Sequence, residues 1–154
     1  MWSSLTQSRV ARGIQISTQT ALLILYAYAA FSKLINLPQF RYALLQSPLF
    51  DATLASVLAY VVPIWEALLC AMLIGQRTIL LGYVASLFTM LAFTTYLVFI
   101  YFQFPVLPCG CGGVIGKLSY SGHIALNLFF AALSAVGVWT LDSEIGESAA
   151  ANGK

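Results

Sequence analysis

The chain has 154 residues, 60% hydrophobic and 8% charged, with a formal net charge of +2 and a mean hydropathy of +0.88. That composition excludes a soluble globular domain and fits an integral membrane protein. So small a charge, with no cluster of lysine or arginine, also excludes a nucleic-acid-binding surface.

In chain order, Arg9 and Arg12 precede an apolar stretch from about Ile14 to Leu34. It is longer than a signal-peptide core and lacks a small-residue cleavage site, so it reads as the first membrane span. From Asn36 to Pro48, aromatic and aliphatic residues mix with Arg41 between bracketing prolines, which predicts a short helix lying in the interface. A second span begins near Leu54 and ends before Gly75-Gln76-Arg77. The third runs from about Ile79 to Phe104 and exceeds what a hydrocarbon core of about 30 Å needs at about 1.5 Å per residue, so it tilts or protrudes. Pro105, Pro108 and the glycines that follow cannot continue that helix. The fourth span covers about Ser121 to Leu141. The prediction is an all-α polytopic protein, a four-transmembrane-helix bundle with a short interfacial helix between spans 1 and 2. Residues 1–141 form its single domain, and residues 142–154, with Asp142, Glu144 and Glu147 among small residues, form a disordered polar tail.

The run Pro108-Cys109-Gly110-Cys111-Gly112-Gly113 stands between spans 3 and 4. Two thiols one residue apart form a disulfide only through a tight ring, and Gly110 allows the φ values that a side chain forbids. A bond so constrained is easily made and broken, which points to thiol–disulfide exchange. Cys109 is the sulfur expected to meet the partner thiol, and Cys111 the one that resolves the mixed disulfide. A soft-metal site on Cys109, Cys111 and His123, suited to Cu(I) or zinc, is the rival reading, and a structural staple in a larger complex is another.

Four further residues bear on that chemistry. His123, the single histidine, falls near the start of the fourth span with Ser119 or Ser121 as candidate caps. A neutral ring there can serve as the base that forms a thiolate, and Asn127, four residues on, shares its helical face and can orient it. The bland alternative is that His123 anchors the helix at the interface. Glu66 is the carboxylate inside a span, where a charge is costly unless protonated or paired. It can pass protons, contact a quinone head group, or be a packing residue. Lys33 can either snorkel outward or pair with Glu66 if their helices overlap in depth. Pro63 frees a backbone carbonyl near Glu66, so a small polar pocket can open there. Cys70, in an apolar run, reads as an inert thiol. Phe88, Phe93, Tyr96, Phe99, Tyr101 and Phe102 read as lipid-facing or packing residues.

Several segments together resemble the MauE branch of the DoxX-like membrane proteins. They are Phe31-Ser32-Lys33-Leu34-Ile35-Asn36 with Phe40 and Leu45-Gln46-Ser47-Pro48, then Ala59-Tyr60-Val61-Val62-Pro63-Ile64-Trp65-Glu66, the Pro108–Gly113 run, and His123-Ile124-Ala125-Leu126-Asn127. The family often has serine where Gly110 stands, a departure that loosens the turn and keeps both thiols. The resemblance implies a four-helix membrane bundle that forms or maintains disulfides in exported proteins. Through the DoxX-type relatives it also implies quinone-linked thiol chemistry, although exchange itself requires no cofactor.

Positive charges do not orient the chain: Arg9, Arg12 and Arg77 on one side balance Lys33, Arg41 and Lys117 on the other. A working disulfide belongs in an oxidising compartment. The expected arrangement is therefore a multi-pass protein of the bacterial inner membrane, with the cysteine loop outward and both termini cytoplasmic. Its expected partners are the bilayer and an exported thiol-containing protein, with a quinone or a larger membrane complex as further candidates.

Overall fold

A hydrocarbon core offers the backbone no water to bond, so a chain crossing it must satisfy its own amides, and helices do so within one segment. The computed structural model describes residues 2–103 and 120–152, with side chains described over 10–103 and 121–142. Five helices order the described residues: α1 (Trp2–Ile35), α2 (Leu37–Leu45), α3 (Ala52–Ile74), α4 (Ile79–Gln103) and α5 (Tyr120–Asn152). No strand occurs among them. Four segments are long and apolar enough to cross a membrane: Val10–Ile35, Ala52–Ile74, Ile79–Gln103 and Ser121–Asp142. They match the four expected spans, and α2 is the expected short helix between the first two.

Local chemistry sets the ends of these helices. Asp51 caps α3, its Oδ1 accepting from the Leu54 amide at 2.7 Å, which satisfies one of the donors left over at a helix start. At the other end of α3 the carbonyls without an intrahelical donor find others. Gly75 N donates to Ala71 O at 3.1 Å, Thr78 Oγ1 to Met72 O at 2.9 Å, and Gln19 Nε2 of α1 to Leu73 O at 2.7 Å. This closed turn carries the chain into α4. Pro38, in the first turn of α2, stands where its missing N–H is no loss.

α1 packs beside α3 and α5, α4 packs beside the same two, and α2 lies against α3. The four spans therefore form a ring in chain order. Tyr83 reaches across it, its hydroxyl donating to Gln15 O of α1 at 3.2 Å. Gly137 of α5 lies directly against the Tyr83 ring, and a Cβ there would overlap it. Leu22, Tyr26, Leu69, Leu73, Tyr83, Met90 and Ala131 form the centre of the bundle. Ile64, Phe88, Phe102 and Trp139 point outward, as expected of side chains that meet lipid.

Four crossings bring the end of α1, α2, the start of α3, the end of α4 and the start of α5 to one end of the bundle, here termed the α2 end. The segment with Cys109, Gly110 and Cys111 joins α4 to α5 there, outside the described residues. The polar stretch read as a disordered tail after Leu141 differs: α5 continues as helix to Asn152. Glu144, Glu147 and the alanines Ala149, Ala150 and Ala151 all favour helix, so the apolar segment stops before the helix does. Ser121 lies inside α5 rather than capping it, and Ser119 lies outside the described residues.

Candidate functional site

The antiparallel pair α1 and α3 determines how Lys33 and Glu66 meet. In α3 the Cys70 Sγ contacts Leu23 O of α1 at 3.9 Å. Counting from that contact puts Lys33 roughly level with Tyr60, and Glu66 then lies about six residues deeper, ~9 Å at ~1.5 Å per residue. Helical side chains lean toward the N-terminus of their own helix. For Lys33 that direction is into the membrane, and for Glu66 it is back toward the α2 end, so the two converge across the gap. Lys33 Nζ donates to Glu66 Oε1 at 2.6 Å, with the side chains 15% and 3% exposed. The lysine turns inward, against the usual snorkelling direction.

Phe40 of α2 completes this corner. It is buried, and the Lys33 ammonium lies 5.6 Å from its ring centroid, within range of a cation–π attraction. One ammonium thus joins α1, α2 and α3. The other carboxylate oxygen, Glu66 Oε2, is buried and has no hydrogen-bond partner. Among the described residues no group of three or more His, Cys, Asp and Glu is arranged to hold a metal ion.

His123 stands in the first turn of α5 and is 4% exposed. Asn127, one turn on, is half-buried. The contacts of Trp65 Nε1 with Thr89 Oγ1 at 3.0 Å and of Gly137 with Tyr83 carry the depth register round the ring. Asn127 comes roughly level with Lys33, and His123 about one turn nearer the α2 end, ~6 Å. Lys33 and Glu66 are thus brought together on α1 and α3. His123 and Asn127 stand on α5 in the half of the bundle toward the α2 end.

Cys70 is free and partly buried. Phe88, Phe99, Tyr101 and Phe102 are exposed, whereas Tyr96 stacks on Phe50 with ring centroids 5.6 Å apart, which pins the α2–α3 connection onto α4. Sequence reasoning overlooked Phe40 as the aromatic lid on Lys33. Its signal was one of two aromatics, Phe40 and Tyr42, in a short bracketed helix. Tyr26 and Ser86 were also missed: the Tyr26 hydroxyl donates to Ser86 O at 3.4 Å, in the buried centre.

A family model described as methylamine utilisation protein MauE matches residues 12–140. No curated protein and no solved structure matches the chain.

Proposed function

The chain belongs to the MauE family, and from that premise we propose that this multi-pass membrane protein carries out thiol–disulfide exchange with Cys109 and Cys111, forming or maintaining disulfides in exported proteins. Cys109 forms the mixed disulfide with the exported protein, and Cys111 closes or reopens the internal bond. Each exchange breaks one S–S bond and makes another, with the departing sulfur leaving as thiolate. His123 takes up the thiol proton and Asn127 orients its ring. The observation that carries this reading is the placement of the single histidine of the chain, buried in the first turn of the helix that follows the cysteine segment.

The cysteine loop faces the oxidising side of a bacterial inner membrane and both termini face the cytoplasm, because a working disulfide persists only on that side. A membrane quinone, when bound, would accept the electron pair that re-forms the disulfide. The Lys33 ammonium, 15% exposed, is a donor of the kind a quinone carbonyl requires. The exchange step itself proceeds without it.

The test is capture of the mixed disulfide. In Cys111→Ser, Cys109 should remain joined to an exported protein, and the same trap in a Cys109→Ser variant should stay empty. A pair that stays oxidised in strongly reducing buffer and traps nothing would be a staple of a larger complex. Stoichiometric copper or zinc in the purified protein, lost in Cys109→Ser and in His123→Ala, would replace exchange with metal binding.

A further inference from the structure

Pro63 lies within α3, on the buried stripe of Ala55, Ala59, Pro63 and Glu66. Proline has no N–H, so the carbonyl of Ala59 lacks its i+4 donor, and in a membrane such a carbonyl must find a partner elsewhere. Glu66 is less than one turn further along the same stripe. Its Oε2 is buried and has no hydrogen-bond partner, and a buried acceptor left unbonded is costly. The Lys33 ammonium carries three protons, of which one is engaged by Glu66 Oε1 at 2.6 Å. Ala55 and Ala59, two turns and one turn from Pro63 toward the α2 end, are the smallest side chains the stripe could present there. Ser86 Oγ is also buried with no partner. By the α3–α4 register it lies about 3 Å deeper than Glu66.

We propose that the turn of α3 around Pro63 is a binding site for internal water, held by the Ala59 carbonyl, Glu66 Oε2 and the Lys33 ammonium. The Ala59 carbonyl, deprived of its donor by Pro63, and Glu66 Oε2 would accept, and the Lys33 ammonium would donate, within the two to four partners a buried water requires. A cation there would meet the ammonium. Water, neutral and able both to donate and accept, satisfies all three groups together. The ion pair is thereby hydrated from the α2 end, and Glu66 exchanges protons with that side of the membrane. This inference does not rest on the thiol reading, and each can fail alone.

The experiment is water-to-protein magnetisation transfer by solid-state NMR on the full chain, labelled with 13C-glutamate and reconstituted in perdeuterated phosphatidylcholine bilayers. The chain has only Glu66, Glu144 and Glu147 as glutamates, and Glu66→Gln identifies the Glu66 Cδ signal by its loss. Wild-type Glu66 Cδ should draw polarisation from water. Pro63→Ala, which restores a donor to the Ala59 carbonyl, should slow that build-up several-fold. Ala59→Val, which fills the space and keeps the proline, should slow it likewise. A Glu66 signal that receives nothing from water in wild type would overturn the proposal. So would a build-up unchanged in both variants, since transfer would then pass only through the ammonium.

Discussion

Replacing Lys33 with methionine removes one partner of the Lys33–Glu66 pair and leaves the shape of the stem. At the observed 2.6 Å two unit charges attract by about 6 kcal/mol at an effective dielectric of about 20. Most of that offsets the desolvation of the two groups, so the intact pair adds little net stability. A carboxylate left alone has no such offset. Glu66 is 3% exposed on a short stem near the middle of α3, so Lys33→Met should cost about 3–5 kcal/mol. The converse change, Glu66→Leu, should cost at most about half as much, because Lys33 stands near the end of α1 and its long stem can turn outward to the interface. The double variant Lys33→Met/Glu66→Leu should recover most of the loss. Reversible unfolding in mixed micelles of the four proteins measures all three terms and their non-additivity. Two results would refute the reasoning: additive single costs, or a Glu66→Leu cost above that of Lys33→Met.

Three further changes probe other parts of the bundle. Gly137→Ala places a methyl group into the Tyr83 ring and should lower stability by about 1–3 kcal/mol, read as a fall in the detergent melting temperature; an unchanged melting temperature would mean that α4 and α5 can separate freely. Gln19→Leu removes the donor to Leu73 O at 2.7 Å and should cost about 1–3 kcal/mol, with faster amide exchange confined to the last turn of α3. His123→Ala should slow thiol exchange by about 100-fold while the protein still inserts and melts as a bundle; wild-type exchange rates would assign His123 to anchoring the helix.

Hydropathy by itself determined the architecture. Transfer free energy sums over a segment, so four apolar runs of spanning length are legible without knowing which face of each is buried, and the alternation of crossings puts α2 and the cysteine segment at one end. The bracketing prolines, with Arg41 and Tyr42 between them, likewise sufficed for α2. The charges inside the spans, Lys33 and Glu66, were legible as candidates for the same reason: in such composition they stand out. Their partnership was legible only as one of two alternatives, pairing or snorkelling. A membrane helix is apolar toward lipid and toward its neighbours alike, so its sequence carries little record of its rotation or of its depth against the next helix. Only the packed bundle decided that Lys33 turns inward to meet Glu66 and that Phe40 covers it. The same packing brought Gln19 to the open carbonyl of Leu73 and Gly137 against Tyr83. Each of these depends on the register between helices distant in sequence, which side-chain shape and hydrogen bonding settle once the spans lie together.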